Sequence, residues 1–430
     1  MSTEPSESPA SPGPPAPRSR GVRAKNVSSL LDGRAFQRDP LSYLRSLDPD
    51  REVLPFRVGP SRFTILRGPR MVEKVLVRDR RSFGEGKWTR RGRWLLGDCL
   101  ITREGEPHLE RRRVLQPVFS RTRLEEKATG LARRIDAWVA ARSEGPIECL
   151  HTEMAEIAAL ATCWALFDRD LVECGVDPNR VARDISTLVN ALPLHWLFGS
   201  RALPARRRLR RVARLVLEEA EGGSNDLART MREAGLDMAA MVREVIAFLV
   251  AGIDTTPRTL SCLWYQISID PDLESRLHRE VDAAWKSDPR PDAARSVDFV
   301  HCLVLETERM FPAVRFIDRR PLHDLEIDGV LLPKDSNVLV SPLVAHRDAS
   351  HFEDPDVFRP QRWSDDQEAP RGAYIPFGLG VHRCIGEWLA RITIPTLAVA
   401  TARRWRIVCQ PPARPPNQEF TRFRAVRERR

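Results

Sequence analysis

Residues 236–265 carry a helical pattern whose middle stretch, VIAFLVAGI at 245–253, is apolar on every face. A helix without a polar side has to be covered all round, so the chain must supply a shell of further helices. Helical periodicity supplies them at 122–142, 151–168, 205–221, 271–287 and 297–311. Short alternating pieces at 53–57, 62–66, 325–331 and 337–341 read as strands. The expected fold is mainly α with small peripheral β-sheets. With 430 residues, 42% of them hydrophobic, the chain has material for a sizeable buried core.

Several function classes fall away on composition. The nine-residue apolar run is well short of the roughly 18–20 residues a bilayer span needs. Residues 1–24 are dense in Pro and Ser and have no apolar core of a secretory signal. They are expected to be disordered, leaving 25–430 as one domain in the cytoplasm. Eight cysteines without CxxC pairs argue against a disulfide framework or a zinc ribbon. The net charge of +10 comes almost wholly from arginine and raises a nucleic-acid binder as a rival. The run RRRLRRVAR at 206–214, however, spaces its arginines with Leu, Val and Ala as a solvated helix face does. An acidic protein partner suits such charge better.

The sharpest local feature is PFGLGVHRCIG at 376–386. Cys384 precedes an apolar helical run, and a helix N-terminus favours the thiolate, the reactive and metal-binding form. Gly378, Gly380 and Gly386 let backbone turn sharply or approach a flat ligand. Phe377 can shield the sulfur, while His382 and Arg383 can meet carboxylates. A structural cysteine in a glycine-rich turn is the plainer alternative. The complete pattern Phe377-x-x-Gly380-x-x-x-Cys384-x-Gly386 resembles the haem-ligating loop of the cytochrome P450 family.

Three further segments extend the resemblance over residues 25–430. Glu306-Thr-Glu-Arg309 resembles the family's ion pair on a helix, and Arg362 of Phe358-Arg-Pro-Gln-Arg362-Trp363 resembles its third member. These three imply a structural cluster that supports the cysteine loop. Ala251-Gly252-Ile253-Asp254-Thr255-Thr256 resembles the oxygen groove of the central helix. It implies space at 251 and 252, a hydrogen-bonding hydroxyl at Thr255 and a proton relay at Asp254. Pro257 is expected to kink this helix. In GEPHLERRRVLQPVF, His108 and Arg112 share a face and resemble residues that bind haem propionates. Arg319 and His382 match the remaining propionate positions.

The resemblance implies haem b (iron protoporphyrin IX) with Cys384 as the iron ligand and His108, Arg112, Ala251, Arg319, Phe377, Gly378, His382 and Gly386 around it. Asp254 and Thr255 would be catalytic. It implies a monooxygenase that inserts one oxygen atom from O2 into a lipophilic small molecule, by hydroxylation or epoxidation, in bacterial secondary metabolism. Electrons would come from a ferredoxin and its reductase, or a flavodoxin, docked near Arg111–Arg113 and Arg383. The layout is similar to that of members oxidising terpene skeletons. Leu100, Ile101, 189–199, Phe248, Ala251 and 314–317 are the expected pocket wall. Pro395 is expected to bend or shorten the helix after Cys384. A thiolate-haem peroxygenase or isomerase, and a non-catalytic haem-binding protein, are the alternatives.

Overall fold

The computed structural model describes residues 36, 39–47, 51–58, 61–191, 195–219, 226–288, 297–364, 369, 371–410 and 424–430, with the side chains of 58, 191, 195–201 and 219 left aside. The 1–24 segment and, of the 189–199 wall, residues 192–194 and the side chains of 191 and 195–199 therefore lie outside the described residues.

Five helices position the site: α1 Gly105–Leu115, α2 Leu150–Phe167, α3 Met238–Ser268, α4 Asp298–Met310 and α5 Glu387–Arg404. The apolar run lies inside α3, which is buried from Val245 to Val250. Asp237 starts that helix by accepting a 2.6 Å hydrogen bond from the Ala240 N–H, satisfying a donor the helix itself leaves open. Helix α2 is its most extensive neighbour. Their approach depends on Gly252, where an added Cβ would lie 2.7 Å from Thr162 Oγ1. Gly252 thus serves helix packing, whereas the sequence suggests only room for oxygen.

Neither proline ends its helix. Helix α3 continues through Pro257 to Ser268, and α5 keeps 18 residues across Pro395, so the expected shortening does not occur. A five-stranded sheet, in the order Val53–Val58, Ser61–Leu66, Asn337–Val340, Ile317–Pro321, Phe83–Glu85, flanks the helices. Its inner residues join Met71, Val75 and Ile375 in a second core beneath the cysteine loop. The alternating 325–331 piece is a hairpin, with Asp328 at φ 48° and Gly329 at φ 72° forming its tip.

Candidate active site

The Glu306 cluster is the platform. Glu306 and Arg309 are one turn apart on α4 and both fully buried. Arg309 grips the carboxylate with two 2.8 Å bonds, from Nε to Oε2 and from Nη2 to Oε1. The same carboxylate accepts from Arg359 N (2.8 Å), Arg362 Nε (3.1 Å) and Trp363 Nε1 (2.9 Å). Burial alone would raise its pKa, but the Arg309 hydrogen bonds and charge outweigh it and hold Glu306 below the ordinary range.

From this platform a residue the sequence did not signal reaches the cysteine loop. His346 is fully buried, with Nδ1 3.2 Å from Arg309 O and Nε2 accepting from Ile375 N at 2.8 Å. Only a neutral imidazole, protonated at Nδ1, satisfies both contacts. Burial pushes its pKa to about 3. The unfolded chain binds this proton near the ordinary 6.5, so the contribution is complete above that pH and is lost as pH falls toward about 3. Urea midpoints should therefore decline through that window. His346→Gln should lower the neutral-pH midpoint yet flatten the acid decline.

The loop closes on itself through Gly378 N to Ile375 O (3.0 Å), Cys384 N to Phe377 O (2.8 Å) and Arg383 N to Gly380 O (3.1 Å). Gly380 has φ 74°, and any Cβ there would meet the Leu76 carbonyl at 2.2 Å. Only glycine fits. Gly386 caps α5, and its absent side chain leaves space beside the Cys384 sulfur. Arg391 lies over the Phe377 ring at 5.1 Å.

Cys384 is surrounded by protein but exposed, because the surface it offers is the wall of a cavity of about 410 Å³. Burial pushes its thiol pKa up, with the Gly386 N–H hydrogen bond as the leading opposing influence. The helix N-terminus starts three residues later, at Glu387, and does not prevail. The sulfur is thus a thiol by itself and a thiolate once a metal takes the proton's place.

His108, Arg112, Ala251, Thr255, Arg319, Phe377, Gly378, His382 and Gly386 share this cavity. Thr255 donates a 2.7 Å bond to Ala251 O. Asp254 does not line the cavity: its carboxylate pairs with Arg258 Nη2 at 3.1 Å on the same helix. Leu100, Ile101, Phe248, Val314, Phe316 and Ile317 form apolar wall, without Arg315. Arg111 is a correction to the expected docking face. It is buried and bonds Glu244 Oε1 at 2.6 Å, and Glu244 in turn accepts from Leu100 N at 2.9 Å. Helix α3 thereby holds the Leu100 wall in place.

The polar end of the cavity fits a ligand carrying carboxylates. His108 and His382 stack with ring centres 3.9 Å apart. Burial, then Arg112 and Arg319, lower His108 to about 4, and burial, then His108, lower His382 to about 2. His108 Nδ1 is buried without a hydrogen-bond partner. An excess of basic groups with an orphaned nitrogen calls for anionic oxygens, and a sulfur facing the same cavity suits an iron–porphyrin.

A family model described as Cytochrome P450 matches residues 205–428. The chain is 30% identical to cyclooctat-9-en-7-ol 5-monooxygenase of Streptomyces melanosporofaciens, over 92% of this chain and 91% of that protein. The chain belongs to the cytochrome P450 family. Pentalenene oxygenase of Streptomyces avermitilis is 28% identical to this P450 over 89% of its chain and 90% of the relative. The fold is shared with a crystal structure of a six-coordinated P450 from Thermus thermophilus, with a TM-score of 0.71 at 21% identity, covering 91% of this chain and 98% of that one. As a P450 the protein is a haem-iron monooxygenase that uses O2, a lipophilic substrate and redox partners. Among the described residues no helix is long and apolar enough to cross a membrane.

Proposed function

We propose that this P450 oxidises a terpenoid, by hydroxylation or epoxidation, as a cytoplasmic step of bacterial secondary metabolism. A single catalytic domain over residues 25–430 holds haem b through Cys384. The supporting observation is one cavity in which Cys384 faces the apolar Leu100, Ile101, Phe248 and Val314 wall. The two Streptomyces relatives, named for a cyclic alkenol and for pentalenene, point to the same hydrocarbon class.

When bound, the haem supplies the oxidation chemistry, with a thiolate ligand favouring O–O cleavage. His108, Arg112, Arg319 and His382 hold its propionates, Arg by a rigid two-pronged fork. The apolar wall excludes water and orients the hydrocarbon by shape. Thr255 presents its hydroxyl to the cavity, and Asp254 carries protons to it from the surface. Arg258 restrains that carboxylate, so proton delivery requires Asp254 to leave the pair. Asp254→Asn should slow donor-driven turnover about a hundredfold and divert electrons to hydrogen peroxide, with Thr255→Ala diverting them likewise. Oxygen and product balances measure both.

Electrons arrive from a ferredoxin with its reductase, or a flavodoxin. Arg113 and Arg383 are exposed basic groups for docking, and added salt should slow electron delivery. The position of Asp254 outside the cavity wall favours one second reading, a peroxygenase. Peroxide-driven turnover without donor proteins would select it.

The test is a spin-state titration of the purified ferric protein with cyclic terpenes and terpene alcohols, followed by product analysis with ferredoxin and reductase. Tight binding and a mono-oxygenated product support the proposal. Selective binding of long-chain fatty acids or aromatic metabolites, with no terpene response, overturns it.

A further inference from the structure

Glu85 is a carboxylate in the midst of the basic end of the cavity. It closes the strand Phe83–Glu85 and pairs in register with Arg319 on Ile317–Pro321. Its side chain is buried, lies in the cavity wall, and sits between Arg319 Nη1 at 3.1 Å and His382 Nε2 at 3.3 Å. The two groups proposed above for propionates therefore already share a protein acid.

The neighbouring acids are committed elsewhere. Asp318 accepts from Trp88 N at 2.7 Å and Thr89 Oγ1 at 2.9 Å, at the start of the helix Lys87–Leu96. Glu104 pairs with Arg320 at 3.1 Å. His108 and Arg112 on α1 and Arg383 of the cysteine loop are further basic side chains in this wall. Two cofactor carboxylates would bring the acids facing these bases to three. Carboxylates sharing one site cannot all stay ionised, and the proton goes to the one whose surroundings least favour charge. Burial, opposed by Arg319 and reinforced by Asp318 and Glu104, already pushes Glu85 up to about 7.

We infer that Glu85 is an acid member of the cofactor cradle, holding a proton when the propionates are in place and donating it as a hydrogen bond to one of them. This rests on the reading of the four basic groups as the propionate site. As pH rises, the proton passes to solvent, a third negative charge appears and the cofactor is held less firmly. Reduction adds an electron nearby and strengthens proton binding, so the midpoint potential falls with rising pH through the same window.

Two measurements on the haem-loaded protein test this, from about pH 6 to about pH 9. The first is ferric haem transfer to excess apomyoglobin. Wild type should release haem about tenfold faster at the alkaline end, whereas Glu85→Gln, which keeps a donor but cannot ionise, should release it at the slow rate throughout. The second is spectroelectrochemistry, in which wild type should show a pH-dependent potential and Glu85→Gln a flat one. A flat wild-type profile in both, or an unchanged slope in Glu85→Gln, overturns the inference. Arg112→Gln, which leaves Glu85 untouched, tests the underlying reading separately. Faster haem loss at every pH supports the propionate site, and an unchanged rate overturns that reading.

Discussion

Cys384→Ser should purify without the thiolate-type carbon monoxide band and without donor-driven turnover. Serine matches the side-chain shape, so the loop can still close through Cys384 N to Phe377 O and Gly378 N to Ile375 O. What changes is the ligand atom. A hydroxyl keeps its proton near neutral pH and is a hard oxygen donor, whereas the thiol yields its proton to a soft metal. Burial already disfavours charge at this position, which penalises an alkoxide still more. A reduced carbon monoxide difference spectrum and a turnover assay read the outcome together. Retention of the thiolate band and full turnover would remove Cys384 from the ligand position.

Glu306→Ala should be the most destabilising single substitution. It strips Arg309, fully buried, of the carboxylate that grips it, and removes the acceptor of Arg359 N, Arg362 Nε and Trp363 Nε1. Stranding a buried charge costs about 3–5 kcal/mol, a large part of the roughly 5–15 kcal/mol by which domains are stable. Glu306→Gln should recover only part of it. Each carboxylate oxygen accepts at least two donors, and an amide turns one of those oxygens into a donor facing donors. Urea unfolding of the holoprotein gives the ranking: wild type, then Gln, then Ala. Equal midpoints for all three would show that the cluster is dispensable.

Motifs spelled locally were legible. The 271–287 helix is found at Pro271–Ser287 because both its signals adjoin it: Asp270 accepts from Asp272 N and Leu273 N, and Pro271 occupies the first turn. The helix expected at 205–221 begins ten residues earlier, at His195, and runs through Pro204 to Glu219. What the sequence hid are single residues whose meaning lies far along the chain. Glu85 meets Arg319 at a separation of 234 residues, and Glu244 meets Leu100 across 144. His346 is one imidazole without a motif around it, and its role lies in joining α4 to the cysteine loop on its two sides. Arg111 would belong, by the family resemblance, to a docking face with Arg112 and Arg113. Helical geometry turns Arg111 toward Glu244 and Arg112 toward the cavity, and leaves Arg113 exposed.

Arg383 is exposed and bonds Glu387 through its guanidinium at 2.6 Å, while the sulfur of the next residue looks into the cavity. A single peptide step therefore separates an exposed cation from the sulfur, and the wall residues Leu100, Ile101 and Val314 belong to other segments. With electron donors docking at Arg383 as proposed, supply of reducing power and choice of substrate would fall to different parts of the polypeptide. Remodelling Leu100, Ile101 or Val314 would then change which molecules are accepted without renegotiating the route by which current reaches the metal.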